Sequence, residues 1–276
     1  MSEKLVPKNP EEVMVIREIA PGVTTLSVPF LRFGMIKFGG RATIVKMSSG
    51  SLAVFNPVSL TPTVQTKIKE LGGPVSYIAA PDIEHHIFLS SWAAAFPAAH
   101  LIAPEGLAEK RATLNASNPD ISILPFNSIF TKANKSTLKV SDEFEQDFET
   151  EFVDAHRNKE LVFFHKGSGT LIEADLMFNL PATEQYSRTG ESAGSGWATI
   201  IACALQGTKG NAKWQKRIIW YGLSNATGDR KGFGESVQRI AGWPIRNIVP
   251  SHGDTILGEG KEVFEKVFQW HLEGKK

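Results

Sequence analysis

Tyr77-Ile-Ala-Ala-Pro-Asp-Ile-Glu-His-His86 is an apolar run that stops abruptly on acids and imidazoles. A short strand that ends this way hands its last side chains to a site, because loops carried by a rigid scaffold are where chemistry collects. Three later segments repeat the form: Phe152-Val-Asp-Ala-His156, Leu171-Ile-Glu-Ala-Asp175 and Asn247-Ile-Val-Pro-Ser-His-Gly-Asp254. Each alone is a weak signal. Together they predict an α/β fold whose strand ends bring His85, His86, His156, Asp175 and His252 to one metal or catalytic centre.

Outward from that stretch, residues 22–58 read as a β-meander. The runs 22–30, 35–47 and 51–59 are rich in β-branched and aromatic residues and are separated by Gly, Ser or Pro. A helix is predicted over 61–71, with Thr61 as N-cap, Pro62 in the first turn and Gly72-Gly73 as its stop. Helices at 86–96 and 105–114 flank a short buried strand at 101–104. The segment 121–130 and the acidic run 141–156 lead back into β structure, and 161–178 reads as two strands joined by His165-Lys-Gly-Ser-Gly169. Further helices are expected at 197–206 and 213–223, with a shorter one at 232–243. A strand at 245–254 precedes an amphipathic closing helix with Val263, Phe264, Val267 and Trp270 on one face. Residues 179–196 hold few large apolar side chains and read as a loop. Positions 179–229 are therefore expected to form a lid or insertion within a single domain, 1–276.

Bulk composition narrows the classes of function. A chain of 276 residues with 42% hydrophobic content can bury a sufficient core without staples. Lys plus Arg is 30 against Asp plus Glu at 29, with no long run of one sign, so nucleic acid and an anionic membrane are not expected partners. A small-molecule substrate is. The single cysteine, Cys203, excludes an internal disulfide and a cysteine-based zinc cluster. The first dozen residues are charged and no window of 18 apolar residues occurs, which gives the expectation of a soluble, cytoplasmic protein. No dinucleotide or P-loop fingerprint follows a strand, and no serine sits in a nucleophile elbow.

The order and spacing of the four strand-to-ligand segments resemble the metallo-β-lactamase superfamily, an αββα sandwich that gathers its ligands from five such motifs. The superfamily's first signature, a strand ending Asp-x-Gly, falls on Leu52-Ala-Val-Phe-Asn-Pro-Val58, with Asn56 in place of the Asp. Its Thr-His-x-His-x-Asp-His motif falls on Ala80-Pro-Asp-Ile-Glu-His-His86: Pro81 and Ile83 replace two histidines, His85 replaces the Asp, and His86 is kept. The third-motif histidine falls on His156 and the bridging aspartate on Asp175. Val249-Pro-Ser-His252-Gly253 matches the closing Pro-x-His-Gly nearly intact. With its histidine motif altered in this way, the chain resembles the DUF4336-type branch of that superfamily.

The resemblance implies a metal centre with one half weakened. Without ligands at Pro81 and Ile83 the first position keeps only His156 and Asp175. The second keeps His85 or His86, Asp175 and His252. One divalent metal per chain is the expectation, zinc first and iron as the alternative. The implied activity is hydrolysis of a small ester, lactone or thioester by a water activated on one metal. Asp82, Glu84 and His85 are the candidate acid/base groups and the 179–229 lid sets the substrate. Two alternatives stay open: a mononuclear non-haem iron oxygenase on the same fold, and a small-molecule-binding protein without turnover.

Overall fold

Alternation between two buried faces organises the chain. The structure, a computed structural model, describes residues 5–275. Strands β1 (Val15–Ala20), β2 (Val23–Val28), β3 (Leu31–Arg32), β4 (Ile36–Lys37), β5 (Gly40–Lys46) and β6 (Leu52–Phe55) form the N-terminal meander. Beyond the helix Pro62–Leu71 lie β7 (Val75–Ala79), β8 (His100–Pro104) and β9 (Ser128–Phe130). Helices Leu89–Ala95 and Leu107–Asn115 connect these three strands. A first sheet runs β1-β2-β5-β6-β7-β8-β9, antiparallel as far as β6 and parallel from there to β9. β10 (Phe148–Val153), β11 (Glu160–His165), β12 (Thr170–Glu173) and β13 (Asn247–Pro250) form a second sheet in sequence order, with only β12 and β13 parallel.

Successive side chains on a strand point to opposite faces, and both faces of both sheets are apolar. On β6, Leu52 and Val54 pack outward with Val64, Ile68 and Trp92, whereas Ala53 and Phe55 pack inward against the second sheet. On β11, Leu161 and Phe163 face that same inner layer, while Val162 and Phe164 face Phe233, Val237 and Phe264 of the outer helices. Helix, sheet, sheet, helix is therefore the layer order. The inner layer is dominated by phenylalanine, with Phe55 within 4.7–6.4 Å of the rings of Phe144, Phe148 and Phe163.

Local signals account for the element ends. The helix Pro62–Leu71 is capped by Thr61, whose side chain accepts from the Val64 N–H at 3.3 Å, and it stops at Gly72 with φ 68°. Four readings change. The acidic run opens as a helical turn, Asp142–Asp147, because the Ser141 hydroxyl caps the Phe144 N–H and acids suit a helix N-terminus. The helix expected at 232–243 lies two residues earlier, Arg230–Ala241, started by the Asp229 side chain on the Gly232 N–H. The closing helix breaks at Phe268, which is buried, and Trp270 is only half-buried beside Trp220. In the stretch 179–196, Leu180, Ala182, Gln185 and Tyr186 are buried, and this cluster packs on Ile36, Phe38 and Phe178.

Candidate metal centre

Three of the scattered residues meet beyond the carboxyl ends of β7, β12 and β13. His85 Nε2 lies 3.2 Å from His252 Nε2 and 4.0 Å from Asp175 Oδ1, and His252 Nε2 lies 3.3 Å from that same oxygen. Each residue therefore offers one atom to a common point, all within 4.8 Å of one another.

The atoms facing away from that point are held by the protein. Asp82, fully buried, accepts from the Glu84 N–H (2.7 Å), the His85 N–H (2.8 Å) and His85 Nδ1 (2.9 Å). One carboxylate thus shapes the loop and turns the imidazole so that Nε2 points inward. His252 Nδ1 donates to the Gly39 carbonyl at 2.6 Å, which leaves the Nε2 lone pair free to ligate. Asp175 Oδ2 accepts from the Asn158 amide at 2.6 Å, while Oδ1, buried, has no hydrogen-bond partner. An orphaned carboxylate oxygen between two inward-pointing imidazole nitrogens fits a bound cation.

Electrostatics point the same way. Burial alone would pull His85 down, but the carboxylates of Asp82 and Asp175 outweigh it and push its pKa up to about 9. Burial opposes ionisation of Asp175. The nearby His85 and His252 imidazoles more than compensate and hold that carboxyl below its usual range. A positive charge is wanted at this point.

A second layer aims the three groups, and of its members the one-dimensional pattern marked only Asn56. Arg41, 1% exposed on β5, donates to the carbonyls of Pro250 and Gly253, each at 2.7 Å, and to Ser27 Oγ at 2.9 Å. Asn56, at φ 52°, donates to the Arg41 carbonyl and to Ser251 Oγ, both at 2.6 Å. The residue that replaces the superfamily's aspartate therefore steadies the loop that carries His252. Glu160 opens β11 and accepts from the N–H groups of Ala174 (2.7 Å) and Asp175 (3.0 Å). Burial and the neighbouring Glu173 push the Glu160 carboxyl well above the usual range. The available signal was an acid opening an otherwise apolar strand.

The remaining predicted site residues surround the triad without joining the ligand group. His86 turns away from the triad: its Nδ1 is 3.1 Å from the Arg111 guanidinium, which also donates to the His86 carbonyl at 2.8 Å. Burial, reinforced by Arg111 and Lys110, pulls the His86 pKa down to about 4. Adjacent residues on a loop project in opposite directions, and here His85 is the one that faces in. His156 is fully buried, accepts from the Asn158 N–H at 3.2 Å through Nδ1, and leaves Nε2 without a partner. Asp82 is shut off from solvent with both oxygens on His85, so it positions that ring and cannot serve as a base toward substrate. Glu84 reaches the cavity, ion-paired to Lys110 at 2.7 Å.

The triad lines a cavity of about 490 Å³ walled by Phe30, Phe33, Phe38, Phe88 and Phe178, with Arg32, Arg41, Lys110 and Glu84 as its charged groups outside the triad. Residues 179–229 contribute nothing to this wall. They line a smaller cavity of about 140 Å³ that shares Phe38, Asp175 and Phe178 with the large one. No tryptophan lines this wall either. Trp92 is buried with Nε1 on the Val58 carbonyl at 2.7 Å, and Trp197 and Trp214 are exposed.

Two facing sheets with outer helices, and ligand-type side chains on the loops past the strand ends, define a metallo-β-lactamase-fold protein. Solved structures agree over nearly the whole chain. DIM-1 metallo-β-lactamase exposed to ceftazidime is 12% identical at TM-score 0.57, covering 98% of this chain and 99% of that one. The metal-soaked Flv1 flavodiiron core from Synechocystis sp. PCC6803 is 13% identical at TM-score 0.59, covering 94% and 61%. The metallo-β-lactamase FIM-1 from Pseudomonas aeruginosa in its mono-zinc form is 15% identical at TM-score 0.53, covering 94% and 95%. At these identities the likeness concerns the fold. Within that fold class, the chain belongs to the family described as Domain of unknown function (DUF4336), whose family profile matches residues 34–190, more than half of the sequence. No curated protein matches it significantly.

Proposed function

We propose that the protein is a single-metal hydrolase of small, largely apolar esters, lactones or thioesters, with His85, Asp175 and His252 as the ligands. The observation that carries this reading is the convergence of two imidazole Nε2 atoms and an orphaned carboxylate oxygen within 4.8 Å, on residues that line an apolar cavity. Three protein ligands leave a position open, the pattern of catalytic rather than structural zinc sites. An ion held by these residues would lower the pKa of a bound water to about 7 and would polarise a carbonyl. The chain's own residues do the rest. Asp82 and the Gly39 carbonyl fix the two imidazoles in the ligating tautomer, as backing groups of metal-bound histidines do. The phenylalanine wall excludes water and holds the apolar part of the substrate. Glu84 is the acid/base group at the cavity wall, and its contact with Lys110 orients it. Pro81 and Ile83 offer no ligand atom and His86 is committed to Arg111, so one ion per chain is the stoichiometry supported.

Two histidines with one carboxylate is also the ligand set of iron(II) oxygenases, and this composition favours iron chemistry as the second reading. One experiment separates the two. Protein purified without chelator or affinity metal is analysed for bound elements, then loaded with zinc or iron and assayed against ester, lactone and thioester panels and for oxygen uptake. Hydrolysis by the zinc form, lost in His252→Ala, is the expected result. Oxygen consumption by the iron form with no hydrolysis would transfer the assignment. A folded protein that takes up neither metal would sink both.

A further inference from the structure

The segment Ser192–Gly228 contains no aspartate or glutamate, yet it carries Lys209, Lys213, Lys216 and Arg217. It forms the helix Trp197–Leu205 and the helix Lys213–Ile218, which continues as a wider turn through Ile219–Leu223. The first helix is inside out. It buries Ala198, Thr199 and Ala202 and displays Trp197, Ile200 and Ile201, with Trp197 70% exposed. Its small face is the packed one: Thr199 Oγ1 accepts from the Lys37 N–H at 3.1 Å and donates to the Met35 carbonyl at 3.2 Å, which pins the helix to the β3–β4 hairpin. On the second helix the exposed Trp214 and Tyr221 and the half-buried Arg217 recur at helical spacing on the side away from the buried Gln215, Lys216 and Ile219. The Arg217 guanidinium lies over the Trp214 ring at 4.9 Å. At the tip of the hairpin Phe33 is 71% exposed. No buried core accounts for this grouping of exposed aromatics and isoleucines, and contiguous apolar surface of that kind marks an interaction site.

We propose that this face docks onto an anionic membrane surface. The argument is charge complementarity. Lys209 and Lys213 are exposed with no ion-pair partner among the described residues, and Arg217 stands beside them. A two-fold contact between copies of this chain would set these cations against their own images. Anionic headgroups neutralise them instead. Tryptophan and tyrosine beside lysine and arginine is the composition that settles at headgroup depth, with isoleucine reaching the acyl boundary. No helix among the described residues is long and apolar enough to cross a bilayer, so the contact is peripheral. Near-neutral net charge conceals this local asymmetry, and the proposal replaces the expectation of no membrane partner. Arg32 and Phe33 belong both to the hairpin and to the wall of the large cavity, so the mouth opens beside the membrane-facing surface.

Full-chain protein is sedimented with vesicles of phosphatidylcholine alone and of phosphatidylcholine mixed with phosphatidylglycerol, at low and high salt. Binding to the mixed vesicles only, weakened by salt, is the expected result. Lys213→Glu with Arg217→Glu should lower the affinity about tenfold or more. Trp197→Ala with Trp214→Ala should lower it independently, with circular dichroism and melting temperature unchanged because both rings are exposed. Binding to neither vesicle, equal binding to both, or undiminished binding by both double variants would overturn the proposal. A concentration-dependent dimer in light scattering that the tryptophan variant abolishes, with no vesicle binding, would assign the face to a second copy. Salt-sensitive binding to polyglutamate with none to vesicles would assign it to an acidic protein.

Discussion

One buried aspartate decides which of two neighbouring histidines can hold a metal. Asp82 accepts a hydrogen bond from His85 Nδ1–H at 2.9 Å and from two backbone N–H groups of the same turn, so the His85 ring has one orientation and one tautomer. Asp82→Asn removes the charge and keeps the shape. Metal affinity measured by competition with a chromophoric chelator should fall about 10–100-fold, the usual cost of losing a backing group. His85→Ala and His252→Ala should each abolish stoichiometric metal. His86→Ala should retain it, since that ring bonds to Arg111. Metal lost in His86→Ala and kept in His85→Ala would invert the assignment. His165 and His271 are poor surface controls for such a series: His165 is buried with Nδ1 on Ser168, and His271 packs on Trp220 and Phe233. At this scale the sequence exposed the candidates but not their directions. The choice between His85 and His86 depends on Arg111, which a whole strand and helix separate from them, and pattern reading along the chain cannot register a contact of that range.

Elements were more legible, because capping and alternation are local. Thr61-Pro62 and Gly72 bound the first long helix where expected, and β6, β7, β11 and β13 lie within their apolar runs. Less legible was the burial of the 179–196 stretch, which acquires its core only by packing against Phe38 and Phe178 from other elements. The turn after β13 makes its own demand. Gly253 sits at φ 90°, and a Cβ there would lie 2.2 Å from the Asn179 carbonyl oxygen, against backbone that cannot retreat. Gly253→Ala should therefore lower the melting temperature and weaken metal binding, as the His252 loop loses its bridge to Asn179. Gly50→Ala is the control: its φ is also 90° but nothing lies within 4 Å, so only the conformational strain of about 1 kcal/mol applies. Equal effects from the two would mean that strain, not the clash, matters. The C-terminal helix carries a pH dependence. Burial first, and then Arg230, pulls the His271 pKa from an ordinary 6.5 to about 4. As pH falls through that window the unfolded chain binds a proton that the folded chain refuses, so stability drops between those limits and is unaffected above them. The loss approaches about 2 kcal/mol at the acid end, after discounting for the partial exposure of the ring. His271→Phe should flatten the urea-unfolding stability profile over that range, and an unchanged slope would place the sensitivity in another group.

Across the whole molecule the proposed metal ligands straddle the sandwich. His85 follows β7 of the first sheet, whereas Asp175 and His252 follow β12 and β13 of the second. The first sheet also reaches across through Arg41, which clamps the Pro250 and Gly253 carbonyls, and through the Gly39 carbonyl under His252. An ion at the triad would join the two sheets at the edge where their shared phenylalanine core ends. The unfolded chain scatters its ligands over a separation of 167 residues, so the ion stabilises the native state by mass action. At a hundredfold excess over the dissociation constant the gain is about 2.7 kcal/mol. For a chain of this size that corresponds to a rise of roughly 5–10 °C in melting temperature. Chelator-treated protein should show this rise when zinc is added in a thermal-shift assay. His86→Ala should show it undiminished, and His252→Ala should show none. A full-sized shift in His252→Ala would mean that the ion binds away from the triad, and the loops of the two sheets would then be joined by side chains alone.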